Sequence, residues 1–187
     1  MPPKVKFSRE EIIAAALDIV REGGMTALTA RSLAARLGSS AKPVFGLFEN
    51  MQEVQDEVVR AANAEYQSFL RAEMMRGAYP PYKASGMAYI AFARQEKELF
   101  KLLFMRDRTE EDSETEDESI DGIIALISRN TGLSNEDARL FHLEMWIFVH
   151  GIATMIVTGY LDWEEEYVSR TLTDVYEGLK ARWCGGN

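Results

Sequence analysis

Apolar positions recur at intervals of three and four residues along most of the chain, and no segment shows the alternation expected of a half-buried strand. Several of these stretches are preceded by a hydroxyl or amide side chain with an acidic residue three positions later. Such a pair satisfies the free backbone amides at the start of a helix. The pairs are Ser8/Glu11, Asn50/Glu53 and Ser134/Asp137. The pattern therefore predicts an all-α fold.

The spacing of apolar stripes and glycine or proline breaks predicts about nine helices. They cover residues 8–22, 29–37, 39–48, 50–76, 82–95, 97–106, 119–130, 134–160 and 163–183. The apolar face of the first helix consists of Ile13, Ala16, Leu17 and Val20. That of the fourth consists of Val54, Val58, Ala61, Ala62 and Phe69. The organisation predicted is a three-helix N-terminal head on a larger helical body.

Residues 29–50 contain a short helix of small residues, a glycine and a second short helix, which is the helix-turn-helix pattern. Thr29 is placed to cap the first helix, and Gly38 permits the turn. Val44 and Phe48 are expected to anchor the second helix in the core. The face left free for DNA consists of Ser40, Ala41, Lys42 and Gly46.

The charge of the chain is segregated, because residues 1–44 carry seven Lys/Arg and four Asp/Glu while the whole chain has a net charge of −9. The first 44 residues therefore have a net charge of +3 and the remainder −12. A basic end on an acidic body is directed toward phosphate. The candidates for phosphate contacts are Lys4, Lys6, Arg9, Thr29, Arg31 and Lys42.

Residues 7–60 resemble the TetR family of transcriptional regulators. The resemblance is carried by Thr29, Leu33-Ala34, Leu37-Gly38, Phe45, Phe48 and Asn50. Residues 92–104 and Trp146 with His150-Gly151 are similar, more loosely, to a common ligand domain of that family. The resemblance implies a DNA-binding domain over residues 1–50 and a ligand-binding and dimerisation domain over 51–187. It also implies a repressor that binds a palindromic operator as a homodimer and is released by a small molecule.

Two positions depart from the family pattern. Phe45 stands where the family usually has a tyrosine whose hydroxyl contacts phosphate, and Met51 stands where it often has a lysine. Either DNA binding is weaker, or Arg31, Lys42, Thr29 and the arm that holds Lys4, Lys6 and Arg9 compensate. We favour compensation. Phe45 belongs among the DNA-facing candidates by position, although its ring fits a core anchor better.

For the larger domain, the resemblance implies that aromatic and methionine side chains line a pocket for a partly apolar effector. The candidates are Phe69, Tyr89, Phe92, Phe104, Met105, Trp146 and His150. Such residues at helical spacing fit an ordinary core equally well, and His150 also fits a hydrogen-bonded histidine near a dimer seam. The last two helices are expected to form a four-helix dimer interface. Its candidates are Met155, Leu172, Val175, Tyr176 and Leu179.

A membrane protein or an exported protein is not predicted. Residues 145–161 are almost wholly apolar, but the run is about one turn short of a spanning helix and an acidic flank follows it. A buried helix is the better interpretation. The N-terminus has no apolar stretch of signal-peptide length, which favours the cytoplasm. Cys184 is the single cysteine, so no internal disulfide is available.

An enzyme is not predicted either. The chain has two histidines, no Glu-x-x-His pair for a di-iron site and no glycine-rich phosphate loop. No cofactor or metal site is therefore expected. The alternative to a regulator is a helical module that binds a small molecule or a protein and whose DNA binding is weak or lost.

Overall fold

The computed structural model describes residues 7–106, 117–161 and 163–185. These ranges contain eight α-helices, two short 3-10 segments and no strand, so the all-α prediction is confirmed. The helices are α1 (Arg9–Gly23), α2 (Ala30–Arg36), α3 (Met51–Met75), α4 (Pro81–Gln95), α5 (Lys97–Phe104), α6 (Asp117–Thr131), α7 (Asn135–Val157) and α8 (Glu165–Cys184). The 3-10 segments are Met25–Ala27 and Val44–Gly46.

The helix starts expected from the sequence are confirmed. The Ser8 hydroxyl accepts a hydrogen bond from the Glu11 amide (3.1 Å), and the Glu11 carboxylate accepts one from the Ser8 amide (2.7 Å). The cap side chain also accepts from the amide three residues later at Asn50/Glu53 and Ser134/Asp137. These bonds satisfy donors that have no partner inside the helix.

The helix expected over residues 39–48 is instead a 3-10 turn over Val44–Gly46. The Val44 amide donates to the carbonyl three residues back, at Ala41, whereas the Phe48 amide donates four residues back, to Val44. Pro43 has no amide to donate, and serine and glycine are poor helix formers, so a regular α-helical ladder does not extend through the segment. The described ranges accordingly hold eight α-helices rather than nine.

The chain divides into two compact units, and unit 1 comprises the chain up to Ser68 together with Glu96–Arg106. In this unit α1 packs against α2 and α5. The buried face of α1 is shifted from the expected one, because Ile12 is fully buried and Ile13 is only half-buried. The fully buried side chains of unit 1 include Ile12, Val20, Leu33, Val44, Val54, Val58, Leu99 and Phe100.

Unit 2 comprises Phe69–Gln95 and the chain from residue 107 onward. Within it α7 packs against α4, α6 and α8. One cluster of its core consists of Ile124, Ile127, Ala138, Phe141 and Met145. Gly86 of α4 lies where a Cβ would be 3.1 Å from Leu172 Cδ2 and 3.4 Å from Val149 Cγ2, so three helices approach closely there. The division into functional domains at residue 50 stays a prediction, since these units are defined by packing.

Helix α7 is long and apolar enough to cross a membrane by length and composition, as core helices often are. One of its faces lies in the core of unit 2. A second face exposes apolar side chains to solvent, and we call it the outer face of α7. It consists of Leu140, Leu143, Trp146, Ile147 and Met155. The expectation of a buried helix therefore holds for one face of α7 but not for the other.

Candidate nucleic-acid interface and sensor residues

Thr29 caps α2 and is exposed at its start, as expected. The Thr29 hydroxyl accepts from the Ser32 amide (3.1 Å), and the Ser32 hydroxyl accepts from the Thr29 amide (2.9 Å). Leu33 and Ala34 are buried on the inner side of α2, while Arg31 is exposed. The helix therefore fixes Thr29 and Arg31 at the surface through its buried side.

The segment that follows, residues 39–48, has a buried side and an exposed side. Val44 and Phe48 are buried, which confirms them as anchors. Of the candidates for DNA contacts, Ala41 is half-buried and the exposed ones are Ser40, Lys42 and Gly46. The interpretation of Phe45 as a core anchor is wrong, because its side chain is 45% exposed. Val44 and Phe48 are four residues apart and already occupy the inner side, so Phe45 falls outside it.

Arg9 does not belong to a free basic arm. Its guanidinium bonds the carboxylates of Glu53 (2.7 Å) and Glu57 (2.9 Å) and donates to the Leu47 carbonyl (2.8 Å). It also lies over the Phe48 ring, with 4.2 Å between Cζ and the ring centroid. The hydrogen bond to Glu53, followed by that to Glu57, raises the pKa of Arg9. Arg9 therefore fastens α1 to α3 rather than compensating for a missing phosphate contact.

Two further basic residues of the head have internal partners. Arg21 bonds Asp18 and Glu96, at 2.9 and 3.0 Å, and also Glu65. Arg36 pairs with Glu22.

Arg31 and Lys42 differ from these three arginines. Both are exposed, and neither forms an ion pair with another residue in the part of the chain that the structure describes. Lys4 and Lys6 lie outside the described residues. Of the basic candidates that can be located, Arg31 and Lys42 thus have their charge available for a partner.

In unit 2, two tyrosine–histidine pairs join α4 to α7. Tyr89 Oη lies 2.8 Å from His150 Nδ1, and Tyr82 Oη lies 3.1 Å from His142 Nδ1. Burial lowers the pKa of both histidines and raises the pKa of Tyr82. Sequence reasoning missed the Tyr82/His142 pair. Its signal was the spacing, because Tyr82 and Tyr89 are seven residues apart on α4 and His142 and His150 are eight residues apart on α7.

The other candidates for the effector pocket are divided between the units. Trp146 stacks on His150, with centroids 4.9 Å apart and planes at 13°, and is 41% exposed. Phe69 and Phe92 meet edge to face at 5.5 Å in unit 2. Phe104 and Met105 lie in unit 1 instead. The structure therefore brings Tyr89, Trp146 and His150 together, and a pocket role for the whole set stays a prediction.

Four of the five candidates for the dimer interface pack inside their own protomer. Leu172 is buried, and three half-buried side chains of α8 pack against the core cluster of unit 2. These three are Val175, Tyr176 and Leu179. Met155 alone among the five is exposed, on the outer face of α7. Sequence reasoning missed Leu140, Leu143 and Ile147, which are exposed on the same face. The signal that could have found them is a second apolar stripe along α7.

A capped short helix followed by a turn segment with an exposed cation, on an all-helical chain with a separate helical body, is typical of helix-turn-helix transcriptional regulators. Residues 82–176 match the family model described as "Tetracyclin repressor-like, C-terminal domain". The chain belongs to the TetR family of transcriptional regulators. Members of this family are regulators rather than enzymes, and they bind DNA and small molecules as dimers.

Solved structures with the same fold cover nearly the whole chain. A TetR-like transcriptional regulator from Rhodococcus sp. RHA1 is 14% identical over all of both chains, with a TM-score of 0.64. The multidrug binding protein EbrR, complexed with imidazole, is 19% identical over 92% of this chain and 94% of its own, with a TM-score of 0.59. The fatty acid degradation regulator FadR from Bacillus halodurans is 16% identical over 92% of this chain and 98% of its own, with a TM-score of 0.60. A comparison with curated proteins gave no match.

Proposed function

We propose that this chain is a cytoplasmic transcriptional repressor that binds a palindromic operator as a homodimer and leaves it when a small molecule binds. The observation that carries the proposal is the contrast among the basic residues of the head. Arg9, Arg21 and Arg36 are paired internally, whereas Arg31 and Lys42 are exposed without an ion pair to any described residue. Cations without an internal partner are available to replace the counterions of DNA phosphate.

In this proposal Arg31 and Lys42 contact phosphate, and Thr29 adds a hydroxyl beside Arg31. Small side chains within residues 39–48 would let the backbone approach the base edges. These are Ser40, Ala41 and Gly46. Lys4 and Lys6 precede α1 in the sequence and add charge to the same end of the chain.

The outer face of α7 supports a two-fold dimer. A row of apolar side chains on one helix is covered when a second copy packs against it about a two-fold axis. Helices α7 and α8 of both protomers would then form a four-helix interface. We call residues 39–48 the recognition segment, and a two-fold dimer that presents two of them to successive major grooves would bind half-sites about 34–36 Å apart.

The sensor is proposed to lie beside the Tyr89–His150–Trp146 group. One turn further along α7, the Thr154 hydroxyl is buried without a hydrogen-bond partner among the described residues. A buried polar group left without a partner is available to a ligand that carries a donor or acceptor. The effector must bind the DNA-free conformation more tightly than the DNA-bound one, because otherwise it shifts nothing.

The test is selection of DNA from a random pool by the full-length chain at low salt. A recovered palindrome supports the proposal. Affinity for that palindrome is then measured against salt concentration for Arg31→Ala, for Lys42→Ala and for Lys97→Ala, an exposed lysine of α5 that serves as control. Each head variant should flatten the salt slope by about one unit per half-site, which is about two units for the dimer on its palindrome, and the control should not.

A second candidate is a helical binding module with little DNA affinity. It is favoured by Phe45 and Met51, which replace two polar side chains of the family pattern. Failure to recover any specific DNA from a chain that is dimeric in solution would support this candidate and contradict operator binding.

A further inference from the structure

Phe45 presents a large apolar surface where the proposed DNA contact lies. Its side chain is 45% exposed, while Val44 and Phe48 on either side of it are buried. Burying a phenylalanine ring is favourable, so leaving one at the surface is costly unless a partner covers it. Its position on the recognition segment indicates that this partner is DNA.

The surroundings of the ring combine a charge and open space. Lys42 lies in the turn that the Val44 amide closes onto the Ala41 carbonyl, directly before the 3-10 segment, and it is exposed like Phe45. At Gly46 a Cβ would meet no atom within 4 Å. Along the chain the exposed ring therefore lies between an exposed cation three residues before it and an exposed glycine directly after it.

A phenyl ring has no hydroxyl and cannot donate a hydrogen bond to phosphate. Among the groups at the edges of the major groove, the thymine C5-methyl is the apolar one. We infer that Phe45 is a specificity-determining residue that packs against a thymine methyl in each half-site while Lys42 contacts phosphate. The inference rests on the proposed operator binding.

The test uses the full-length chain and the palindrome selected from the random pool. Deoxyuridine replaces thymine at one symmetric pair of positions at a time, which removes the methyl and keeps the base pair. At one pair of positions the wild-type affinity should fall by about fourfold per half-site. This is the change expected when the burial of one methyl-sized group is lost.

Phe45→Ala should bind the thymine operator more weakly and should no longer distinguish thymine from deoxyuridine at that position. Phe45→Leu should retain part of the discrimination. Neither variant should change the salt slope, since no phosphate contact is lost, whereas Lys42→Ala should flatten it. Met75→Ala, at an exposed apolar position at the far end of α3, is the matched control. Because Lys42, Phe45 and Met75 are all exposed, the variants should remain folded, which thermal melting checks.

Different results would contradict the role of Phe45 and the binding to an operator. A wild-type affinity that ignores every deoxyuridine substitution overturns the role of Phe45 and leaves operator binding standing. A deoxyuridine penalty of equal size in Phe45→Ala does the same. Failure to select any DNA sequence overturns operator binding and the role of Phe45 with it.

Discussion

Met51 is the first residue of α3, directly after the cap residue Asn50, and its side chain is half-buried. The family often has a lysine here, so we expect Met51→Lys to restore one phosphate contact. The slope of log affinity against log salt concentration should steepen by about one unit per half-site, which is about two units for a dimer on a palindrome. Met75→Lys adds the same charge at the other end of α3 and is the control. An unchanged slope for Met51→Lys would show that position 51 faces away from the DNA backbone.

At the residue scale, the sequence shows which residues are charged, but it does not show which of them form ion pairs inside the protein and which remain available to bind DNA. Arg9 was assigned to a basic arm because it lies close to Lys4 and Lys6. Its partners Glu53 and Glu57 are more than forty residues away in sequence and meet it only after α1 and α3 pack. Phe45 shows the same limit, since in a segment of one irregular turn periodicity does not determine which side a ring takes.

At the scale of the element, helix starts were predictable because a cap and its partner are three residues apart. Ser8/Glu11 and Ser134/Asp137 both form the expected bonds. The segment before α3 was not predictable to the same degree, because Pro43 and Gly46 leave the choice between 3-10 and α geometry to the surrounding packing.

The close approach of α4, α7 and α8 at Gly86 gives a test of packing. A Cβ there lies 3.1 Å from Leu172 Cδ2, so Gly86→Val should overfill the junction and lower the free energy of unfolding by about 2 kcal/mol. Gly122→Val on α6 meets no atom within 4 Å and should change stability by less than about 0.5 kcal/mol. Urea denaturation at one protein concentration measures both. Equal effects in the two variants would contradict a tight junction at Gly86.

The two tyrosine–histidine pairs make the packing of α4 on α7 dependent on pH. Burial lowers the pKa of His142 and His150 below the ordinary value of 6.5, so folding favours neutral rings. This contribution to stability is complete above pH 6.5 and is lost as the pH falls through the lowered values.

The urea midpoint of the wild type should therefore fall between about pH 7.5 and about pH 5.5. The double variant His142→Gln and His150→Gln should show a smaller fall, because its side chains do not titrate. The carboxylates are common to both chains and provide an internal control. A fall of the same size in both chains would assign the pH dependence to the carboxylates alone.

At the scale of the whole molecule, the sequence predicted that the apolar stripes of the last two helices form the dimer interface. It did not determine which apolar stripe packs inside the protomer and which stays exposed to solvent. In the structure the stripe of α8, with Val175, Tyr176 and Leu179, closes the core of unit 2. The outer face of α7 remains exposed. A row of leucines has the same pattern in either role, so only the packed structure separates them.

This distinction places the critical test of the dimer on α7. Leu143 and Ile147 are one turn apart on its outer face and are 49% and 59% exposed, so they are accessible in the protomer. Leu143→Glu and Ile147→Glu should leave the protomer folded. Because a two-fold axis repeats each residue, either substitution places two uncompensated carboxylates in the interface. Each substitution should raise the dimer dissociation constant by about 100-fold or more in sedimentation velocity, since every 1.4 kcal/mol is a factor of ten.

Met75→Glu, at an 87% exposed position on α3, is the control for the added charge and should leave the dimer intact. Affinity for a palindrome should fall together with dimerisation in the α7 variants, because the two recognition segments are then no longer held at the spacing of the half-sites. Binding to an isolated half-site should not change, which separates loss of the dimer from damage to the head. A dimer that survives both substitutions would place the two-fold interface on a different surface of the protomer.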